Sequence, residues 1–232
     1  MGRPSCARDA RTIALPPPAK RVSPEVVIFG ASGQTGRELV TQALELGHAV
    51  TAFARQPEKL AAADGRVRVV QGDIIDVAAV TRAVEGQEAV LSALGASSPM
   101  RPYPEFRAGV ANIVNAMQSS DVRRLVYLSF LGVRAREERL GFFLNQVAAR
   151  LLRHAIADHA ANERTIRASR LAWTIVLAAK LTNGPRTRTY RSGEEVAIQS
   201  VVPSISRADV ADFMLRQVAD TTYVGRSPRI MN

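Results

Sequence analysis

Val26-Val27-Ile28-Phe29-Gly30-Ala31-Ser32-Gly33-Gln34-Thr35-Gly36-Arg37-Glu38-Leu39-Val40 is the stretch whose reading decides the fold. A run of β-branched and aromatic residues stops at a glycine, two more glycines follow at three-residue intervals, and an apolar-periodic segment begins. This reads as strand, tight turn and helix, the form of a dinucleotide-binding turn. Gly30 lets the chain reverse at the strand's end, Gly33 removes a Cβ so that backbone approaches a pyrophosphate, and Gly36 lets the helix pack closely on the strand. The N–H groups that open the helix then face the phosphates, where the helix dipole favours negative charge. Gly30, Ser32, Gly33, Gln34, Thr35 and Gly36 are therefore candidate cofactor-binding residues. The spacing is G-x-x-G-x-x-G instead of the commoner G-x-G-x-x-G, so the strand before and the helix after carry the specificity. The alternative is a glycine-rich turn that binds nothing.

Further along, a helix over about Thr35 to Glu45 ends at Gly47, and a second strand covers Ala49 to Ala54. Arg55 follows, about 20 residues beyond the last glycine, where an acid would hold a ribose 2′-hydroxyl and an arginine accommodates a 2′-phosphate. No acid precedes Glu58, so the cofactor reads as NADPH, with an ordinary exposed loop arginine as the alternative. Val67 to Asp73 reads as a third strand running into a turn, and Asp76 as the cap of a helix over Val77 to Val84. Asp73 suits either a hydrogen bond from the adenine amino group or a turn that bonds its own backbone.

Ala89 to Gly95 is a nearly continuous apolar run, as in a central parallel strand covered on both faces. Its end, Gly95 and Ala96, would border the nicotinamide side. A loop with Pro99, Pro102 and Pro104 leads to a helix over about Glu105 to Ser119, and Arg124 to Phe130 is the fifth strand. Phe142 to His154 has helical apolar spacing, Asp158 to Ser169 is a further helix, and Leu171 to Leu177 a sixth strand. Lys180 to Gly193 reads as a loop, Ser206 to Asp209 as a capping-box-like start of a helix to about Val218, and Ser227 to Met231 as a closing strand. Strands alternating with helices at this interval predict an α/β fold, a Rossmann-like doubly wound parallel sheet in three αβα layers, within a single domain over 25–232. The substrate region falls mainly at about 96–104, 132–160 and 178–205. Residues 1–24, basic and carrying Pro16-Pro17-Pro18, read as a disordered extension, since they lack both periodicity and an apolar signal core.

Composition narrows the function classes. The chain has 232 residues, 47% hydrophobic, with no window near the ~20 apolar residues of a membrane span. Its net charge of +10 invites a nucleic-acid reading, but the arginines are scattered and no basic block stands out. Cys6 is the lone cysteine, which excludes an internal disulfide or a thiolate cluster, and His48, His154 and His159 lie too far apart in sequence for an obvious metal motif, leaving only folding to bring ligands together. The expectation is a cytoplasmic protein, monomeric or weakly homo-oligomeric, with no nucleic-acid, membrane or metal partner.

These residues resemble the atypical short-chain dehydrogenase/reductase superfamily, in particular its NmrA-like branch and, within it, the biliverdin-IXβ/flavin reductase family. The stretches that carry the resemblance are Val27 to Gly36, Val70-Gln71-Gly72-Asp73, Ala111-Asn112-Ile113-Val114-Asn115-Ala116-Met117, Asp158-His159 and Asp212-Phe213-Met214-Leu215-Arg216. The resemblance implies an NADPH-dependent reductase of a flavin or similar conjugated acceptor, with Arg55 at the 2′-phosphate and Asp73 by the adenine. It also implies a strand-end serine, here Ser129, and a helix histidine, here His159, near the nicotinamide as catalytic candidates. Ser129 would orient substrate or nicotinamide. His159, with an unperturbed pKa of ~6.5, would donate a proton on occasion. A plain strand-end hydroxyl and a histidine on an exposed helix face are the respective alternatives.

The departures are as informative. No tyrosine has a lysine four residues later, so the superfamily's Tyr-x-x-x-Lys proton relay is missing; Phe130 and Ala178-Ala179-Lys180 replace hydroxyl-bearing and Pro-Pro-His residues of the reductase family. Reducing an isolated carbonyl calls for a positioned acid, worth ~10²–10⁴ in rate, whereas a flavin or quinone spreads the incoming charge over its rings. The expected acceptor is therefore conjugated. The rival expectation is a non-catalytic NADP(H)-binding redox sensor of NmrA type.

Overall fold

The computed structural model describes residues 24–60, 65–95, 101–134, 152–198, 200 and 202–232. Five segments build the first half: β1 (Glu25–Phe29), α1 (Gln34–Glu45), β2 (Ala49–Ala54), β3 (Val67–Gln71) and α2 (Val77–Val84). β4 (Ala89–Ser92), α3 (Pro104–Ser119), β5 (Arg124–Phe130), α4 (Arg153–Ala168) and β6 (Ala172–Ala178) continue the alternation. Three short strands, β7 (Lys180–Thr182), β8 (Arg191–Gly193) and β9 (Ser204–Ser206), then precede α5 (Arg207–Ala219) and β10 (Arg229–Met231).

The main sheet has the order β3-β2-β1-β4-β5-β6-β10-β8. Every pairing in it is parallel except β10 with β8. Parallel strands need a crossover between them, and the helices supply it while covering the sheet. α1 packs against α5, and α2, α3 and α4 pack in series, completing the doubly wound αβα architecture predicted from the alternation. Val26, Val27, Ile28 and Phe29 of β1 are all fully buried, each worth about 1.5–3 kcal/mol relative to exposure. Phe29 also meets Phe53 of β2 at a ring separation of 4.9 Å.

Strand order reverses between β1 and β4, the point at which such sheets open a crevice at their carboxyl ends. Arg124, at the other end of β5, ties the sheet to α5. Its guanidinium donates to the carbonyls of Gln217 at 2.8 Å and Ala172 at 2.7 Å, and to Thr174 Oγ1 at 2.9 Å. Burial lowers its pKa to about 10, against the opposing charge of Asp220.

The sequence expectations need four corrections here. Lys180 to Gly193 is not simply a loop, because β7 pairs with β9 and β8 adds the antiparallel edge. The strands expected to reach Asp73 and Gly95 end at Gln71 and Ser92, so the residues beyond them are free to form the crevice. α4 starts at Arg153, earlier than Asp158. The closing strand starts at Arg229. The expected extension over 1–24 lies outside the described residues except for Pro24, as do Phe142 to Leu151 of the expected amphipathic helix and Ala96.

Candidate functional site

Gly30 turns the chain with φ +79°, and a Cβ there would meet the Ala93 carbonyl at 2.8 Å. A Cβ on Gly36 would lie 2.0 Å from the Gly30 carbonyl, so the helix approaches the turn more closely than any side chain allows. Gly33 is the N-cap of α1, its N–H bonded to Gly30 O at 2.9 Å, and no side chain caps the helix. The first-turn N–H groups, which have no intrahelical partner, are therefore left for an anion's oxygens.

This turn forms one side of a cleft of ≈ 190 Å³. Gly30, Ser32 and Gly33 come from the turn, Phe53, Ala54 and Arg55 from the end of β2, and Asp73 and Ile74 from the turn after β3. Ala93, Leu94 and Gly95 follow β4, and Tyr103 and Phe106 open α3. All the strand-borne contributions sit at carboxyl ends. Arg55 is exposed and makes no hydrogen bond or ion pair among the described residues, which leaves a guanidinium available for a ligand's phosphate. Asp73 bonds its own turn, Oδ1 accepting from Ile75 N–H at 3.2 Å, and the cleft also touches it. Turn-former and ligand acceptor are compatible roles, since a carboxylate has two oxygens.

Of the candidate cofactor residues, Gly30, Ser32, Gly33, Arg55, Asp73 and Gly95 line this cleft. Thr35 is buried, and Gly36 supports the turn from beneath. Gln34 faces a second cleft of ≈ 220 Å³, bordered by Arg37 and Arg207.

Ser129 and His159 do not line the cleft. They belong to a buried polar layer between β5 and α4. Asp158, His159, Asn162, Glu163 and Ile166 are the buried residues of α4, a helical spacing whose inward face is mostly polar, and Tyr127 and Ser129 share the facing side of β5. Ser129 donates to Glu163 Oε1 at 2.7 Å, while Arg167 bridges Glu163 Oε2 at 2.7 Å. Asn162 Nδ2 donates to the Tyr127 hydroxyl at 3.2 Å, and that hydroxyl lies 3.0 Å from His159 Nδ1. The direction of the hydroxyl–Nδ1 bond is set by the tautomer of the imidazole.

His159 is not on an exposed helix face. It is 8% exposed and packs edge-on against Phe106 at 5.1 Å and Phe130 at 5.2 Å. Burial lowers its pKa from 6.5 to about 4, so the unperturbed value expected from sequence does not apply: at neutral pH it is a hydrogen-bond donor and not an acid. Burial likewise pushes the Tyr127 phenol far above its ordinary value. Phe106 joins this layer to the cleft, since its ring touches both.

Sequence reasoning passed over Tyr103, Phe106, Tyr127, Asn162 and Glu163. The signal for the last two was the spacing Asp158-His159-x-x-Asn162-Glu163, a polar helix face at core-like positions.

Comparison with known proteins shows the family and the fold. A family described as NAD(P)H-binding matches residues 30–221. The chain belongs to the NAD(P)H-binding family. Among curated relatives, a (4-alkanoyl-5-oxo-2,5-dihydrofuran-3-yl)methyl phosphate reductase of Streptomyces griseus is 28% identical over 207 residues, 87% of this chain. The chain spans 66% of that relative's length. Among solved structures, a short-chain dehydrogenase/reductase of Veillonella parvula in complex with NADP has a TM-score of 0.73 at 24% identity, covering 90% of this chain and 94% of that one. An anaerobillin reductase of Escherichia coli O157:H7 has a TM-score of 0.74 at 18% identity, covering 89% and 96%. At those identities the two structures show a common Rossmann-type fold. No helix among the described residues is long and apolar enough to cross a membrane.

Proposed function

We propose that this NAD(P)H-binding protein is an NADPH-dependent reductase of the NmrA-like branch that delivers hydride to a flat, conjugated acceptor such as a flavin or quinone. The observation that carries the reading is the buried Asn162–Tyr127–His159 cluster, in which burial keeps the phenol and the imidazole neutral at pH 7. A site whose polar groups hold their protons suits an acceptor that delocalises the incoming charge. The substrate in the Streptomyces relative's name, an unsaturated ring conjugated with two carbonyls, is of that class.

In this scheme the uncapped first turn of α1 takes the pyrophosphate and Arg55 the 2′-phosphate. Asp73 keeps one oxygen for the adenine amino group. The bound reduced nicotinamide supplies the hydride. Ser129, its proton committed to Glu163, acts toward any further neighbour only as an acceptor, and His159 stays a neutral imidazole. Phe106 and Phe130, both in contact with His159, keep water from its ring.

Purified protein mixed with NADPH and, in turn, FMN, FAD and a quinone tests the reading through the loss of NADPH absorbance. The expected result is saturable oxidation with at least one member of the panel. Saturable NADPH binding without turnover across the panel would instead identify a redox sensor.

A further inference from the structure

The carboxylate of Asp158 is nearly inaccessible, its side chain 3% exposed, yet the chemistry proposed above makes no use of it. One oxygen, Oδ2, accepts from the backbone N–H of Tyr103 at 3.0 Å. The other, Oδ1, pairs with Arg107 Nε at 3.2 Å, and that arginine is half exposed. Three elements thus meet at one buried charge: α4, the start of α3, and the rim of the cleft just before α3. Tyr103 and Phe106 both line the cleft, with rings 6.4 Å apart and 27° from parallel. Phe106 in turn rests on His159, the residue after Asp158.

A carboxylate withdrawn from water costs several kcal/mol unless paired and hydrogen-bonded. Asp158 has both, an ion pair with the half-exposed Arg107 and the rim amide of Tyr103, and the second of these fixes where a rim side chain stands.

We propose that Asp158 is a positioning residue: it latches the Tyr103 backbone to α4 and so sets the Tyr103–Phe106 aromatic wall against which a flat ring of the bound dinucleotide packs. This rests on the NADPH reading above. The latch acts through a carbonyl-type oxygen on Tyr103 N–H, so an amide at 158 can still serve while a methyl cannot. Arg107, half in solvent, can turn to water when its partner loses charge.

The test compares wild type, Asp158→Ala, Asp158→Asn and Tyr103→Leu by NADPH fluorescence titration, with exchange of the Tyr103 amide followed by NMR without cofactor. Asp158→Ala should weaken NADPH binding about tenfold or more, because the aromatic wall is then ordered only on binding, and Asp158→Asn should stay within about threefold of wild type. The double variant Asp158→Ala/Tyr103→Leu should bind no worse than the poorer single variant, because both changes remove the same wall. The Tyr103 amide should exchange fast in Asp158→Ala and remain protected in Asp158→Asn. Independent roles for the two residues in binding would leave the two losses multiplicative. That pattern, unchanged NADPH affinity in Asp158→Ala, or an unprotected Tyr103 amide in wild type overturns the proposal. Failure of wild type to bind NADPH while the amide pattern holds overturns the cofactor reading and the ligand part of the proposal, leaving the latch itself established.

Discussion

His159 is worth most when its proton is followed through pH. Its folded pKa of about 4 lies below the ordinary 6.5 because burial penalises the imidazolium. Between those values the unfolded chain binds a proton that the folded chain does not, so folding stability is complete above 6.5 and is lost as pH falls toward 4, by up to about 3 kcal/mol. Urea unfolding at a series of pH values should show this slope, and His159→Gln should flatten it; an equal slope in the variant would contradict the assignment. Gly36 offers a steric counterpart. A Cβ there would lie 2.0 Å from the Gly30 carbonyl oxygen, so Gly36→Ala should cost roughly 1–3 kcal/mol as overpacking and displace the turn. Calorimetry would detect this as a lower melting midpoint, and an unchanged midpoint would show that the turn has slack.

Elements differ in how far their sequence predicted them. β1, β2 and β5 read correctly because a parallel central strand must be apolar on both faces, and α2 because Asp76 supplies a cap, its Oδ1 accepting from Ala79 N–H at 3.1 Å. The small strands β7, β8 and β9 were illegible because their pairing is set by non-local anchors. One such anchor is Asp209, near the start of α5. Ser206 Oγ accepts from Asp209 N–H at 3.0 Å, as the capping pattern implied. The buried carboxylate accepts in addition from the Ser206 hydroxyl at 2.9 Å and from the N–H groups of Thr187 at 2.7 Å and Arg188 at 2.8 Å. That grip also holds Arg188 at φ +60°, a left-handed conformation that a non-glycine residue adopts at a cost. Although burial pushes the other way, hydrogen bonds from Arg188, Thr187 and Ser206 keep the Asp209 carboxyl below its usual range. Asp209→Ala strands these donors and should cost about 2 kcal/mol, read as a shifted urea midpoint. A change within error would mean that water replaces the carboxylate without loss. The polar face of α4 was hidden for a similar reason: Asn162 and Glu163 look like solvated residues until Tyr127 and Ser129 of a distant strand are placed beneath them.

At the scale of the whole molecule, the strand order puts the glycine turn, the β2 end and the β3 turn around one crevice, and the polar layer under α4 meets that crevice through Phe106 and the Tyr103 rim. Legibility followed the same division. The turn, Arg55 and Asp73 lie in local motifs and could be read from spacing, whereas the aromatic wall and the buried hydroxyl–imidazole chain exist only once α3 and α4 pack together. A ligand that binds only the folded state should raise its stability, by about 2.7 kcal/mol at a hundredfold excess over its dissociation constant. The most direct measurement is the pair of dissociation constants for NADPH and NADH, in wild type and in Arg55→Ala. NADPH should bind more tightly to wild type, and Arg55→Ala should weaken NADPH by roughly 10- to 150-fold, the ~1.5–3 kcal/mol of one charge-assisted contact, while leaving NADH nearly unchanged. Equal weakening of both cofactors, or a wild type that binds neither, would contradict the account.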